Sequence, residues 1–523
     1  ASCFGAVESQ RETSGDRAMW TWAWWRLLVA WLGTASGSCP EGTCEDEAAL
    51  FQVKAGRSVS SVPYGTNFGG WLCLEDWFFS GNTGRFVSTS DPVGQGVCLP
   101  PLLQGGDTTW PSEGILVHRL VAKYGKKYAS QVFEAHRNSF VHVGDLKALA
   151  DLGVKVVRIP VVWTLFADAL APVAKIYGEH NPQSDHAVVP DPYYPENASL
   201  VTIPRKLLED LYAEGHKHGL KFLLDIHAFP GGSSDGTYNG IWPLKPRFWL
   251  ERVKVGKGTT TLQEAGLMIV AKAIEWLESL TGDAAAAVEG ISPMNEPGHL
   301  AGFQKPSFAP IDVVLAWLSQ TIHMFRKSQL PSKGQKLYMQ IIETAFPDNS
   351  FWKVFPSWWI QQTSVTDRNN WAVADMHWYT AWGTKGGVLA ESSAVTCNEP
   401  LHKILEVLQP GVEDFAKTFY EKVPGLKAST EFSASTNADA LLACQPVAIT
   451  RPWMEAQVTT MKQKDIKPFF WTFKMPYGHV FQSGWSLRKI YGVEETAPFP
   501  CALNAGIMGA NAKVPCFAGD CGS

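Results

Sequence analysis

The sequence has little net charge and no cluster of basic residues. Its 45 Lys and Arg residues are nearly balanced by 50 Asp and Glu residues, which gives a net charge of −5. Proteins that bind nucleic acid or an acidic membrane surface present a basic stripe or patch, so neither partner is expected here. The sequence also lacks an internal repeat and a low-complexity tract, which favours one large domain over a repeat array.

Long apolar runs are missing beyond the N-terminal region. Residues 1–18 show no hydrophobic period and are interpreted as an untranslated or leader segment. Residues 19–38 (MWTWAWWRLLVAWLGTASGS) contain an apolar core too short to span a membrane, followed by small residues, as is typical of a signal peptide. An uncleaved N-terminal anchor is the alternative. We expect the mature chain to be secreted, without stable membrane insertion.

Paired cysteines at zinc-site spacing are absent as well. Cys39 lies close to Cys44, and Cys516 to Cys521, but neither pair has the C-x-x-C spacing. Disulfide bonds in an oxidising compartment are the better interpretation, and spacing alone leaves their pairing open. A glycosylation sequon at Asn197 is also typical of a protein that is extracellular or in a cell wall.

Short apolar runs alternate with amphipathic helical stretches along most of the chain. No glycine fingerprint of a dinucleotide site follows the first run, so the alternation predicts a closed (β/α)8 barrel, the TIM barrel, rather than an open sheet. The predicted strands are Gly65–Gly69, Lys155–Ile159, Lys221–Asp225, Val288–Ser292, Lys336–Ile342, Ala372–Met376, Lys427–Thr430 and Pro468–Thr472. The predicted helices include Val143–Leu152, Arg205–His218, Leu267–Leu280, Ile311–Lys327 and Arg451–Lys464.

Two connections in this barrel are expected to be long loops. Residues 72–138 and 166–203 are rich in Gly, Pro, Asp and Ser, and the region after Trp485 is also loop-like. Long loops that follow barrel strands usually build or cover the active-site face. We therefore expect a single barrel domain over residues 39–500, with its site under these loops, and a Cys-containing tail over residues 501–523.

Polar residues cluster at the predicted carboxyl ends of the strands, where the active site of a TIM barrel lies. Two of them are carboxylates on separate strands, and the others supply hydrogen-bond donors and an indole. Glycoside hydrolysis requires a carboxylic acid that protonates the leaving oxygen and a carboxylate that attacks or stabilises the sugar cation. These strand-end residues are Arg158, His227, Asn295, Glu296, His377, Tyr379, Glu431 and Trp471.

At these positions the chain resembles glycoside hydrolase family five, the cellulase superfamily, and most of all its fungal exo-β-1,3-glucanase branch. The resemblance runs from Gly65 to about Cys501. Its motifs are GTNFGGWLCLEDW, ADLGVKVVRIPVVW, LLDIHAFPGG, ISPMNEPG, IIETAFPD, VADMHWY, STEFSAS, FFWTFK and GWSLRKIYG.

The resemblance implies a role for each catalytic candidate. Glu296 would be the acid/base and Glu431 the nucleophile, with Arg158 favouring the ionised form of Glu431 by charge and hydrogen bonding. Asn295 would hold the sugar 2-hydroxyl, and His227 would lie beside the sugar ring. His377 and Tyr379 would orient the two carboxylates. Trp471 would lie beneath the reacting sugar and pack against its ring.

The resemblance also implies substrate contacts outside the catalytic set. Glu75 would grip hydroxyls of a terminal glucose, which suits an exo-acting enzyme. Tyr238 and Phe346 are candidate aromatic clamps at the entrance, and Asn239 lies in the same substrate loop as Tyr238. Cys397 and Cys501 fall where similar enzymes have a disulfide.

Some residues depart from the family pattern. Relatives usually have Gly-Glu-Trp where this chain has Thr430-Glu431-Phe432, and the loop Gly231–Gly240 also differs. Glu296 and His299 spell the E-x-x-H motif of di-iron proteins, but an intervening Pro-Gly breaks a helix and no second copy exists, so no metal is expected. No cofactor is expected either, because a carboxylate pair needs none. His227 could alternatively be a core histidine bonded to backbone.

We therefore expect a monomeric, retaining β-glucosidase or exo-β-1,3-glucanase that acts on a β-glucan or glucoside. One alternative within the family is an endo-β-1,4-glucanase or a glucosylceramide-cleaving enzyme, because the altered loops affect the substrate. An alternative of another class is a non-catalytic β-glucan-binding wall protein.

Overall fold

The strands of the central sheet are short and almost wholly buried, because both of their faces are covered. The computed structural model describes residues 60–75, 78, 112–234, 236–250, 253–298, 311–341, 350–381, 395, 399–436, 446–475 and 482–493. The barrel strands are β1 (Gly65–Asn67), β2 (Val156–Val162), β5 (Lys221–Ala228), β6 (Val288–Ser292), β7 (Lys336–Gln340), β8 (Ala372–Asp375), β9 (Leu426–Phe432) and β10 (Ile466–Phe470).

These eight strands close into a barrel in the order β1-β10-β9-β8-β7-β6-β5-β2, and each neighbouring pair is parallel. Neighbours in the barrel thus follow chain order, and β1 closes the barrel against β10. Helices connect the strands on the outside. The predicted (β/α)8 fold is confirmed.

Most of the predicted helices are present with small shifts of their bounds. Val143–Leu152 and Ile311–Lys327 have the predicted ends. The helix predicted from Leu267 begins earlier, because Thr261 and Glu264 form a capping box with bonds of 2.7 and 3.2 Å. The other helices of the described residues are Glu113–Tyr124, Lys126–Phe140, Arg205–Lys217, Leu262–Ser279, Gly282–Ala286, Phe351–Gln362, Val365–Asn370, Leu401–Lys422, Val447–Lys462, Gln482–Trp485 and Leu487–Ile490.

The predicted long loops contain regular structure. Helices Glu113–Tyr124 and Lys126–Phe140 occupy much of the connection after β1. The connection after β2 holds 3-10 turns and an antiparallel pair, β3 (Val188–Pro190) and β4 (Ser199–Val201). The two connections are therefore long, as predicted, but the helices and the strand pair within them were not predicted from the sequence. Helix Leu487–Ile490 likewise lies in the region predicted as a loop-like tail.

Strands β2, β5 and β9 extend beyond their predicted ends, and two of them carry an extra residue. In β9, Ser429 pairs with Pro468 and Phe432 with Phe470, so two residues of β9 stand opposite one of β10. In β5, His227 is the extra residue against β2. A bulge of this kind redirects side chains, and such bulges are common beside active sites. His227 and Glu431 therefore lie within strands rather than after them, and Arg158 lies within β2 as predicted.

The amino end of the barrel is filled by side chains. Val156, Leu223, Tyr338, Val373, Ala428 and Phe469 form a buried apolar cluster there. Gly65 is required beside Phe469, because a Cβ at this position would lie 2.2 Å from its ring. The Tyr338 hydroxyl donates to the buried Glu289 carboxylate at 2.8 Å. The packed amino end leaves the carboxyl ends of the strands for a site.

Several predictions fall outside the described residues: the leader, the signal peptide, the tail after residue 500, Phe346, His299 and the implied Cys397–Cys501 disulfide. Cys73 is described, and it is a buried free thiol. Asn197 of the sequon is exposed, as glycosylation requires. Within the described ranges, none of the helices combines the length and the apolarity needed to cross a membrane.

Candidate active site

Arg158 in β2 is the centre of a buried polar cluster. Its Nη1 donates to Glu431 Oε1 at 2.5 Å and to Asn67 Oδ1 at 3.0 Å. Its Nη2 donates to Asn295 Oδ1 at 2.7 Å and lies 3.0 Å from Asp225 Oδ2. Burial opposes the charge of Arg158, but the carboxylates of Asp225 and Glu431 outweigh burial and raise its pKa. The guanidinium therefore remains charged and links four strands of the barrel.

Both carboxylate oxygens of Glu431 accept hydrogen bonds. Oε1 accepts from Arg158, and Oε2 accepts from the Tyr379 hydroxyl at 2.7 Å. Burial and the charge of Glu431 raise the pKa of Tyr379, so the phenol keeps the proton that it donates. A carboxylate that is paired with a cation and oriented by a second donor is well prepared for nucleophilic attack.

Glu296 follows β6 in a left-handed backbone conformation, with φ of 40°. Such a conformation costs a residue other than glycine about 1–3 kcal/mol and persists only where its surroundings impose it. Here the Gln340 side chain accepts from the Glu296 N–H, and the Ser234 hydroxyl donates to the Glu296 carbonyl at 2.9 Å. Contacts from the end of strand β7 and from the loop after β5 therefore hold Glu296 in this strained geometry.

His377 lies between the two carboxylates. Its Nδ1 is 2.9 Å from Glu296 Oε1 and 3.4 Å from Glu431 Oε2, and its Nε2 is 3.1 Å from Thr430 Oγ1. Burial opposes protonation, but the charge of Glu431 and the bond to Glu296 outweigh it and raise the pKa of His377. One oxygen of each glutamate and one nitrogen of His377 lie within 4.8 Å of one another.

Trp471 and His227 stack at the same end of the barrel. Their ring centroids are 5.7 Å apart and the rings are inclined by 10°. His227 Nδ1 lies 2.6 Å from Asp225 Oδ2, so its partner is a carboxylate and not the backbone of the alternative core interpretation. Gly69 makes room for the indole, because a Cβ there would lie 2.9 Å from Trp471.

Glu75 is also brought to this cluster. Its side chain is 5% exposed, and its Oε2 accepts a long bond of 3.5 Å from the Thr237 hydroxyl. The charge of Glu75 contributes to the raised pKa of Tyr238 and of Tyr379, after burial and a nearer glutamate in each case. A carboxylate thus lies near the catalytic candidates, where it could accept bonds from sugar hydroxyls.

Tyr238 and Asn239 lie in the substrate loop, and the role of Tyr238 as an aromatic clamp stays a prediction. Tyr238 stands edge-on to His227 at 5.7 Å, and burial together with Glu296 raises its pKa. The Asn239 side chain donates to the Ser234 carbonyl at 2.6 Å, and its oxygen accepts the N–H of Ile241 at 2.8 Å. Asn239 therefore holds the loop in shape, and a sugar contact from it stays a prediction.

Sequence reasoning missed several polar residues that complete the cluster. Asp225 precedes His227 by two positions, and Asp375 precedes His377 by two. A spacing of two places both side chains of a pair on one face of a strand, so the repeated Asp-x-His pattern could have been recognised. The others are Asn67, Gln340 and Thr430, of which the sequence analysis noted Thr430 only as a departure from the family pattern.

The proximity of Glu296, His377 and Glu431 would also allow a metal ion to be held. The donors argue against a cation. Arg158 and Tyr379 already donate to the two oxygens of Glu431, and a guanidinium repels a divalent ion. The raised pKa of His377 further disfavours the neutral imidazole that metals require. The set fits proton transfer better than metal binding.

The fold and the cluster define a (β/α)8 barrel with a buried carboxylate pair at the carboxyl ends of its strands. No family model matches the chain. The solved structure named AoRut is 16% identical, with a TM-score of 0.48 over 82% of this chain and 96% of that one. Rutinosidase from Aspergillus niger is 14% identical, with a TM-score of 0.48 over 82% and 97%.

A GH5-4 broad-specificity endoglucanase from Clostridium acetobutylicum is 11% identical, with a TM-score of 0.39 over 69% of this chain and 89% of that one. One barrel architecture serves many unrelated reactions. Similarities of this size therefore give no information about the activity of this chain, which has to be argued from its site.

Proposed function

We propose that this chain is a secreted retaining glycosidase of the family-five type that acts on β-glucans or β-glucosides. The spacing of the carboxylates carries the proposal: an oxygen of Glu296 and an oxygen of Glu431 lie within 4.8 Å. Carboxyl groups of retaining glycosidases lie about 5–5.5 Å apart, whereas inverting enzymes need about 6.5–9.5 Å to admit a water. The close spacing supports a double displacement.

The different surroundings of the two glutamates support their roles. Arg158 pairs with Glu431 and Tyr379 donates to it, so both orient Glu431 for attack on the anomeric carbon. Glu296 gives its proton to the leaving oxygen as the glycosidic bond breaks, and a glycosyl ester forms on Glu431. In the second step Glu296 removes a proton from water, the water oxygen attacks the anomeric carbon, and Glu431 leaves as a carboxylate.

The surrounding residues support recognition of a glucosyl unit. Trp471 offers an indole face beside the cluster, and Asn295 and His227 offer polar atoms for hydroxyls. The nearby Glu75 favours capture of a chain end, and hence exo-action, because its carboxylate would accept bonds from terminal hydroxyls. The exo-β-1,3-glucanase resemblance adds to this argument.

Products from reduced laminari-oligosaccharides test the substrate assignment. Glucose as the sole product from the outset supports an exo-β-1,3-glucanase. Mixed oligosaccharides would instead indicate an endo-acting or transferring enzyme. If laminari-oligosaccharides do not react, cellulose and glucosylceramide are the next substrates, and binding of β-glucan without turnover of any of them would favour the wall-protein alternative.

Azide rescue tests the catalytic roles. Glu431→Ala should lose nearly all hydrolysis of an activated aryl β-glucoside, and added azide should restore part of it by forming an α-glucosyl azide, since azide takes the vacated face of the sugar. Glu421→Ala, on an exposed helical position, is the matched control and should retain wild-type turnover. Normal hydrolysis by Glu431→Ala would overturn the assignment.

A further inference from the structure

We propose that Thr430 and Asp375 form a hydrogen-bond relay that keeps Nε2 of His377 protonated, and that the imidazolium form of His377 then presents its Nδ1–H to Glu296 and Glu431. Thr430 and Asp375 are thus positioning residues, because they act through His377. The inference rests on the proposed glycosidase function. It adds two positioning residues, one on β8 and one on β9, to the proposed site.

The relay begins with two hydrogen bonds between Asp375 and Thr430. The Thr430 N–H donates to Asp375 Oδ1 at 2.9 Å, and the Thr430 hydroxyl forms a hydrogen bond with Asp375 Oδ2. Both side chains are completely buried. The Thr430 carbonyl in turn accepts from Asn67 Nδ2 at 2.9 Å, so the backbone of Thr430 is held from both sides. These contacts place Oγ1 in one position.

The direction of the hydrogen bonds follows from the number of protons. A hydroxyl donates one proton, and an ionised carboxylate only accepts. When Asp375 is ionised, the Thr430 hydroxyl donates to it and is left with lone pairs towards His377. Nε2 of His377, 3.1 Å from Oγ1, must then carry a proton and donate it. A neutral imidazole with Nε2 unprotonated would leave this buried contact without a proton.

The opposite side of the ring is therefore where proton exchange takes place. Nδ1 faces Glu296 Oε1 at 2.9 Å and Glu431 Oε2 at 3.4 Å. After Glu296 has given its proton to the leaving oxygen, the Nδ1–H of an imidazolium donates to the new carboxylate. This bond stabilises ionised Glu296 at the stage where it must remove a proton from water. The relay thus supports the second step of the reaction.

The charges around His377 agree with an imidazolium. Negative groups face it from β8, β9 and the segment after β6, and Asp225 on β5 is close enough for His377 to contribute to lowering its pKa. Arg158 is the opposing cation, although it is paired with carboxylates. Burial raises the pKa of Asp375, whereas His377 and the bonds from Thr430 oppose the rise. Protonation of Asp375 would break the relay at acidic pH.

Two substitutions at Thr430 separate the relay from simple packing. Thr430→Val keeps the shape of the side chain and removes the hydroxyl, whereas Thr430→Ser keeps the hydroxyl and removes a methyl group. Neither change alters the backbone bonds of residue 430. In Thr430→Val the Nε2–H of His377 loses its acceptor, which lowers the pKa of His377. We therefore expect the alkaline limb of kcat/KM for an aryl β-glucoside to move about one pH unit lower in this variant. Thr430→Ser should keep the wild-type midpoint.

A second measurement does not depend on activity. NMR of isotope-labelled histidine, with the His377 signals assigned by their loss in His377→Gln, gives the protonation midpoint of His377 directly. The midpoint should fall in Thr430→Val and stay near wild type in Thr430→Ser. Unchanged midpoints in both measurements, or equal changes in both variants, would overturn the relay. If wild type hydrolyses no β-glucoside, the proposed function fails, while the NMR result still decides the relay.

Discussion

The guanidinium of Arg158 donates to the carboxylate of Glu431 at 2.5 Å, and the two side chains are 0% and 6% exposed. Removal of one member of a buried ion pair typically costs about 3–5 kcal/mol, because the other charge is left unpaired. Arg158→Gln should therefore lower the free energy of unfolding by about that amount and kcat/KM by at least about 100-fold. Denaturant unfolding and steady-state kinetics measure the two effects.

Arg451→Gln is the control for this prediction. Arg451 pairs with Glu455 at 3.1 Å on the surface, with side chains 50% and 31% exposed. Exposed pairs contribute about 0–1 kcal/mol, so this variant should be nearly as stable as wild type and equally active. Similar losses in the two variants would contradict the role given to Arg158.

Gly69→Ala tests the position of Trp471. A Cβ at residue 69 would lie 2.9 Å from the indole and 2.8 Å from Phe78, so the ring must move off His227. We expect kcat/KM to fall by about 10-fold or more, because misplaced substrate contacts are costly, and stability to fall by about 1–3 kcal/mol. Gly258→Ala is the control, since its nearest neighbour would be 3.8 Å away. Equal kinetics of the two variants would exclude the positioning role.

Glu113 gives a prediction for the pH dependence of stability. It is buried and accepts from the Leu74 N–H at 2.8 Å, and burial raises its pKa from 4.5 to about 7 although Arg137 and that N–H oppose the rise. The folded state thus favours the protonated acid. Its stabilisation is fully present below about pH 4.5 and is lost as the pH rises through about 7.

Glu113→Gln removes this titration but keeps an acceptor for Leu74. Between pH 4.5 and about 7 the wild type should lose up to about 3 kcal/mol relative to Glu113→Gln, and the difference should then become constant. Unfolding curves of the two proteins at several pH values give the difference directly. A difference that does not change with pH would mean that Glu113 does not titrate in this range.

Chelation tests the absence of a metal requirement. Glu431 is already bonded to Arg158 and Tyr379, so we expect dialysis against EDTA to leave kcat/KM unchanged. A loss of activity that Zn²⁺, Mn²⁺ or Mg²⁺ restores would show that Glu296, His377 and Glu431 hold an ion, and it would replace the proposed double displacement with a metal-assisted reaction.

Much of the barrel could be predicted because buried parallel strands have a simple sequence signature. The run at Ala372–Asp375 is short, mostly apolar and bounded by turns or helices, which is the pattern of a strand covered on both faces. Helices in the connection after β1 were not predicted, because their amphipathic pattern lies in a stretch dominated by loop-forming residues. The capping box at Thr261 was available in the sequence and was overlooked.

The sequence by itself determined which chemical groups stand near the carboxyl ends of the strands, since strand periodicity and the order of a barrel are local properties. Only the tertiary structure decided how those groups meet. The bulge that carries Glu431, the left-handed backbone of Glu296 and the bonds from Asp375 through Thr430 to His377 all depend on register between strands far apart in sequence. Register results from the packing of the whole barrel, and no local pattern encodes it.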